Sequence, residues 1–421
     1  MSLAAHSSNA SGQLDPANVR RDFPIFEHIT HPQRLRYLDN AATTHKPRAV
    51  IDAITSSYEQ YYGPIHRGLY PLAEQATSNY EQARRTLQRF IGAASPAELV
   101  FTRSATEAIN MVANGWLKPR LRSGDVVWVS RMEHHSNYLP WQRVCQEQQA
   151  ELRFIELTEE GQLDLENTPE LFAERTKFIA LTHVSNVLGV ENPVAALCSR
   201  ANACAIPVLV DAAQSVSHIE LKVADMGCNF LVFSAHKMFG PTGIGLLYGR
   251  QDSLASMEPL QVGGGMVDIV GEGAAPSRWT EIPARFEAGS PDMPGAVGFA
   301  AAADYIVSLG HERIHGHIAL LSRLAAERLL TIDGISLLPH AGLPSSGIVS
   351  FTHRDLHPHD MAQVAGESGV AIRAGHHCAQ PLLGHLGLAA TARASFSVYN
   401  DESDIEALLA AIVDAEKVLL G

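Results

Sequence analysis

Lys237 stands in an unusual setting. It lies in a short polar turn, within the run SAHKMFGPTGIG at 234–245, directly after the apolar stretch 230–234. Lysines ordinarily occupy solvated faces. One drawn into a strand-end turn is desolvated, which lowers its pKa and frees its amine to form a Schiff base. Asp211 ends a second apolar run, PVLVD at 207–211, and opens the string DAAQ that also holds Gln214. Alone, such an aspartate reads as a helix N-cap; beside a buried lysine it reads as an acid held for a purpose. A third constellation is IRAGHHCAQPLL at 372–383. There Arg373, His376 and His377 bring positive or polarisable groups to Cys378, which favours the thiolate. Gly375 permits a tight, mobile turn.

An anion cradle accompanies them. TRSATEAIN at 102–110 places Ala105 and Thr106 at a strand–helix junction, where unpaired backbone N–H groups attract phosphate. Ser234 and His236 offer a second set of donors. An imine-forming amine, an acid and a phosphate cup are what pyridoxal 5'-phosphate requires. The acid keeps the pyridine nitrogen protonated, and the ring can then withdraw electrons from a bound amino acid. A zinc reading of His376-His377-Cys378 fits less well. Adjacent residues on an extended segment point to opposite sides, and no second ligand cluster follows, so no metal is expected.

These groups need elements to position them. Apolar runs at 98–102, 125–130, 152–157, 177–184, 207–211, 230–234 and 244–248 alternate with helical periodicity at 106–117, 137–150 and 194–203. Runs apolar on both faces and separated by helices predict an α/β fold with a mostly parallel sheet covered on both sides. In such sheets ligands sit beyond the carboxyl ends of the strands. His183 with Asn186, Asp211 with Gln214, and Ser234 with Lys237 all fall at such ends, so the spacing predicts one shared crevice. After the Gly-rich loops at 263–265 and 271–277 the pattern changes. Helices are predicted over 298–309, 315–330 and 404–420, and short strands over 347–351, 370–374 and 394–398. This gives a mobile tail at 1–20, a large cofactor domain at 21–295 and a smaller α+β domain at 296–421 carrying Cys378. Residues 21–35 are expected to pack on the small domain.

Composition narrows the function classes. The 421 residues are 46% hydrophobic and 18% charged, enough for a large core. A net charge of −13 argues against nucleic acid or an anionic membrane as partner. No apolar run approaches the roughly 20 residues that span a bilayer, and the first residues lack the pattern of a secretory signal. Five scattered cysteines without a CxxC pair predict neither a disulfide framework nor a zinc ribbon, and a reducing, cytoplasmic setting. Cys145, Cys198, Cys204 and Cys228 read as small buried hydrophobes.

The ordered motifs RRDFPIF, YLDNAATTHKP, HRGLYPLAEQAT, FTRSATEAIN, MEHHSNYLPWQ, HVSNVLGVENP, DAAQ, FSAHKMFGPTGIGLLYG, FEAGSPDMPGAVG, IRAGHHCAQPLL and RASFSVYN run from about Arg21 to the C-terminus. Together they resemble the class V aminotransferase family of fold-type I pyridoxal-phosphate enzymes, and within it the SufS/CsdA-type (group II) cysteine desulfurases. The resemblance implies a cysteine desulfurase that converts L-cysteine to L-alanine and holds the sulfur as a persulfide on Cys378, for iron–sulfur cluster assembly or related sulfur traffic. It implies that Lys237 links the cofactor and moves protons at the substrate α-carbon. Asp211 pairs with the pyridine nitrogen, Gln214 contacts the ring hydroxyl, and His134 stacks on the ring. Thr106, Ser234 and His236 hold the phosphate, with Ala105 beside them. Ser290 reaches the phosphate from the second subunit of a homodimer. Arg393 forks the substrate carboxylate, with Asn186, Arg373 and His66 as further substrate contacts; Asn40 and Arg67 lie in matching motifs without an assigned role. A SufE-, CsdE- or SufU-like acceptor protein is implied as partner.

Four positions depart from the family pattern: Ser104 and Ala235 replace glycines, Ala105 and Ser290 replace threonines. None removes an essential group, although Ala105 forgoes one hydroxyl donor. A selenocysteine lyase would use the same residues. Another class V epimerase or lyase would not need Cys378.

Overall fold

The computed structural model describes residues 14–28, 34–66 and 68–421. The large sheet has seven strands: β1 (Leu99–Thr102), β2 (Val126–Ser130), β3 (Glu151–Ile155), β4 (Thr176–Thr182), β5 (Val208–Asp211), β6 (Phe230–Ser234) and β7 (Gly245–Gly249). Their order is β1-β7-β6-β5-β4-β2-β3. All are parallel except β7, which runs antiparallel to both neighbours. The mostly parallel α/β sheet expected from the apolar runs is therefore present.

Alternate side chains of each strand enter different cores. Val127, Val129, Phe178, Leu209, Phe230, Val232 and Leu247 face one layer, with Trp141 and the helix Ala105–Met111. Trp128, Ile179, Leu181, Val208, Val210, Leu231, Phe233 and Leu246 face the other. Burial on both faces explains why the strands read as unbroken apolar runs. Each large side chain so buried contributes about 1.5–3 kcal/mol. Ser104 starts the helix Ala105–Met111, its hydroxyl accepting from the Glu107 N–H at 3.3 Å, and a wider helical stretch continues over Val112–Leu117.

The smaller domain holds an antiparallel sheet of β8 (Ile335–Leu337), β9 (Ile348–His353), β10 (Arg373–Gly375) and β11 (Thr391–Ser395), in the order β8-β9-β11-β10. The strand expected at 370–374 is divided. Val370–Ala371 pairs in parallel with Arg36–Tyr37, and only Arg373–Gly375 joins the small sheet. The strand expected at 394–398 lies three residues earlier.

The domain boundaries shift too. Helix Met293–Leu309 is buried nearly all round and packs on helices Arg48–Gln60 and Pro71–Phe90, so it belongs with the large domain. The chain breaks at Gly310, where φ is +87°, and turns by 78° into helix His311–Leu329. The expected tail at 1–20 also ends sooner. The Asp15 carboxylate accepts from the N–H groups of Ala17 and Asn18 at 3.1 and 3.3 Å, capping helix Pro16–Arg20, and Leu14 and Val19 are buried. Residues 1–13 lie outside the described ones. Phe23 packs at the joint of both domains rather than on one, with ring centroids 5.8 Å from Phe239 and 4.7 Å from Tyr399. Of the four cysteines expected to be buried, Cys204 is exposed at the end of helix Val194–Ala203. Among the described residues no single helix is long and apolar enough to cross a membrane.

Candidate active site

Beyond the carboxyl ends of β2, β4, β5 and β6 lies a cavity of about 220 Å³. Its floor comes from the large domain: His134 after β2, Thr182 and Asn186 at β4, Asp211 and Gln214 at β5, and Ser234, His236 and Lys237 at β6. Its lip comes from the small domain: Arg373, His377, Cys378 and Arg393. The crevice predicted from strand ends is a single site that also receives the thiol, except that His183 does not line it and lies with Nδ1 3.0 Å from Ser215 Oγ.

Asp211 is buried, and its carboxylate accepts from the Ala213 N–H at 2.9 Å. Burial pushes its pKa up; the Ala213 bond and the Lys237 charge oppose this. No cation stands within ion-pair distance of it among the described residues. Burial likewise lowers the pKa of Lys237, with Asp211 pulling the other way, which is the condition that makes the amine nucleophilic. His134 is held down to about 3, first by burial and then by Lys237. Its Nδ1 accepts from the Ser136 N–H at 3.1 Å, so the neutral ring carries its proton on Nε2.

The anion cradle is close-packed. The Ala105 N–H donates to the Ser234 Oγ at 2.9 Å, and Thr106 Oγ1 lies 2.7 Å from Ser136 Oγ. A Cβ on Gly245 would come within 2.7 Å of the Ser104 backbone, so this turn rests directly on β7. His236 is neutral, lowered to about 4 by burial and then by Lys237, and its Nδ1 lies 3.2 Å from Thr43 Oγ1. Gln214 donates from Nε2 to the Ala41 carbonyl at 2.8 Å.

Two arginines meet on the lip. Arg373 and Arg393 are register partners across β10 and β11, so their side chains emerge on one face. Like charges placed so favour an anion between them. Arg393 is buried; it donates from Nη1 to the Asn186 carbonyl at 2.8 Å and from Nη2 to Asp39 at 3.1 Å, and its Nε has no partner among the described residues. The Asn186 amide, expected to contact substrate, donates to the His377 carbonyl at 2.8 Å.

Cys378 is half-buried and held in a left-handed conformation, φ +55°, after His377 at +50° and Gly375 at +120°. The turn expected to be mobile is tied down. The His135 N–H donates to the Cys378 carbonyl at 2.7 Å, and the Gln380 N–H donates to His135 Nε2 at 3.1 Å. His377 does not supply the expected positive charge. Burial, then Arg393, lowers it to about 3, and its Nε2 lies 2.9 Å from Thr391 Oγ1.

Two expected residues fall elsewhere. His66 and Ser290 line a separate cleft of about 610 Å³ with Tyr62 and Glu287, and His66 Nε2 lies 3.1 Å from Glu81. Arg67 lies outside the described residues. Asn40 joins the domains instead of lining the cavity, donating to the Ser395 carbonyl at 2.6 Å. Sequence reasoning missed Asp39, the partner of Arg393, and Glu133. Glu133 is buried behind His134, raised to about 8 by burial, and accepts from Asn137 and the Thr182 N–H at 2.6 and 2.8 Å. Asp39 had no local signal; Glu133 carried one, as a charged residue beside an apolar strand.

The donor set fits pyridoxal phosphate. An unpaired buried carboxylate, a desolvated amine and a cradle of hydroxyl and backbone donors face one cavity, and the arginine pair leaves an orphaned Nε for a substrate carboxylate. Comparison with known proteins agrees. The family described as aminotransferase class-V matches residues 36–408. A cysteine desulfurase of Salmonella agona is 42% identical over 401 residues, covering 95% of this chain and 98% of that one. The crystal structure of the cysteine desulfurase CsdA from Escherichia coli superposes with a TM-score of 0.88 at 35% identity, over 96% of this chain and 99% of that one. The apo cysteine desulfurase from Thermococcus onnurineus gives 0.87 at 37% identity, over 96% and 98%.

Proposed function

The chain belongs to the class V aminotransferase family, and from that premise we propose that it is a pyridoxal-phosphate-dependent cysteine desulfurase whose sulfur acceptor is Cys378. The observation that carries the reading is the meeting of Lys237, Asp211 and Cys378 around one cavity. When bound, pyridoxal phosphate supplies an electron sink that lets the carbon–sulfur bond of cysteine break. Asp211 keeps the ring nitrogen protonated. Ser234, Thr106, His236 and the Thr106 N–H would hold the phosphate, with Ala105 fixing Ser234 through its N–H, and His134 would cover the ring as a neutral imidazole. Arg393, with Arg373 beside it, takes the substrate carboxylate and orients the sulfur toward the lip. Lys237, desolvated and able to be neutral, accepts the α-proton and later returns it. The Cys378 thiolate attacks the substrate sulfur; the carbon–sulfur bond breaks, sulfur remains on Cys378 as a persulfide, and the carbon fragment is protonated and leaves as alanine.

Ser290 and His66, away from this cavity but together in one cleft, support a homodimer in which they serve the partner's site. Tyr62, exposed and lining that cleft, packs against exposed Tyr58 with ring centroids 5.2 Å apart and gives that face an apolar surface. Five free cysteines suit a reducing cytoplasm, and a sulfur-acceptor protein would collect the persulfide for iron–sulfur cluster assembly or related traffic.

A single turnover with L-cysteine tests the reading. Alanine should appear in step with a sulfur adduct on Cys378 in the mass spectrum, and C378A should form no adduct. Alanine released by C378A at the wild-type rate would overturn Cys378 as acceptor.

A further inference from the structure

Four donors from one short segment converge on the carbonyl oxygen of His236, the peptide that leads into Lys237. They are the Thr44 N–H at 3.0 Å, Thr43 Oγ1 at 3.0 Å, Thr44 Oγ1 at 3.2 Å and Lys46 Nζ at 3.2 Å. A carbonyl has two lone pairs, so this oxygen is saturated and its peptide plane is fixed. The Thr44 hydroxyl also accepts from the Phe239 N–H at 2.8 Å. Thr44 therefore grips the lysine turn on both sides, one residue before Lys237 and two after it.

The turn needs such a grip. Phe239 is held at φ +67°, a region that residues with a Cβ avoid. Its ring is wedged between Phe23 and Tyr305, with centroids 5.8 and 6.0 Å away. Lys46 is the other unusual member. Its ammonium is half-buried, bonds the carbonyls of Thr44 and His236, and has no carboxylate within ion-pair distance among the described residues. A cation drawn partly out of water for two backbone oxygens is costly unless it holds something in place. Burial lowers its pKa to about 8, and its charge in turn lowers that of His236, after burial and Lys237.

We propose that Thr44 and Lys46 are positioning residues that fix the backbone from which Lys237 reaches the cofactor. This rests on the reading of Lys237 as the cofactor-linking lysine. The Lys237 amine hangs on a four-carbon stem, so a tilt at its backbone is magnified at the reacting nitrogen. Thr44 and Lys46 do not line the cavity; they act through the turn.

The test is made on the holoenzyme with T44V, T44S and K46M. The readouts are the pH midpoint of the visible band of the lysine-linked cofactor, kcat and KM for L-cysteine, and the melting temperature. T44V keeps the shape of the side chain and loses both hydroxyl bonds. It should move the band midpoint by about half a pH unit or more and lower kcat about tenfold, with KM within about twofold. T44S should restore both. K46M should also move the midpoint, and gives the reading alone should T44V not fold. A wild-type midpoint in folded T44V and K46M, whatever their melting temperatures, would assign the segment a merely structural role and overturn the proposal. The midpoint is read without substrate. A wild-type protein that binds the cofactor yet releases no alanine would therefore sink the desulfurase reading and leave the clamp standing.

Discussion

The floor and the lip of the cavity are built by opposite means. The floor residues Asp211, Ser234 and Lys237 sit at or next to the ends of fully buried strands, so the sheet itself sets their positions. The lip residue Cys378 sits in a left-handed turn whose contacts are lent by the other domain: His135 on its carbonyl and on Gln380, Asn186 on His377. On the proposed function, a ring that must stay put is served by a sheet, and a thiol that would give its sulfur onward is served by a few separable hydrogen bonds, each worth roughly 0.5–1.5 kcal/mol. That reading places rigidity where electrons would move and releasable contacts where sulfur would depart.

Four outcomes would sharpen or break that contrast. The largest effect belongs to the floor: K237A should lose the visible cofactor band and about 10⁴-fold or more in alanine release, and retention of either would break the assignment. At the hinge between floor and lip, R393K keeps the charge and loses the fork. It should cost about 10²-fold in kcat/KM for L-cysteine, and steady-state kinetics showing less loss than N186A would reverse the ranking. N186A cuts a lip tether, the bond to His377, and should slow adduct formation on Cys378 about tenfold while leaving the cofactor band in place. Rapid-quench mass spectrometry reads it, and a lost band would mean that Asn186 also holds the cofactor. The smallest effect is on stability. His134 and His377 are depressed to about 3, His45 and His236 to about 4, in each case chiefly by burial. Their unfolded pKa is near 6.5. As pH falls below that value the unfolded chain takes up protons that the folded one refuses, so stability present above about pH 6.5 is lost toward the folded values. The holoenzyme's melting temperature should drop by several degrees between pH 7 and 5; a flat profile would mean these rings are solvated.

The floor was legible in the sequence because its geometry is local. An apolar run followed within a few residues by Asp211, or by Ser234 and Lys237, states both the strand and the group at its end. The lip was legible in composition alone. Cys378 among histidines announced chemistry, but the neutral state of His377 comes from burial and then from Arg393, and the tie to His135 spans the chain. The same reason hid Asp39 and Thr44, whose partners Arg393 and His236 lie 354 and 192 positions away. The boundary at 295 failed because helix Met293–Leu309 is apolar on every side, which marks burial but not the domain that does the burying. His66 and Ser290 carried motif signals alone, and motifs do not say which cleft a residue lines.

The strand Arg36–Tyr37 pairs with Val370–Ala371, and Asp39 just after it bridges to Ser395 and holds Arg393. A nascent chain therefore carries one half of this joint long before it makes the other. Contacts of such sequence separation form slowly. All seven strands of the large sheet precede β11 in the chain, whereas the Asp39–Arg393 pair is completed only after β11 emerges, so a product truncated before β11 would keep the floor and lose the arginine proposed to grip the amino acid.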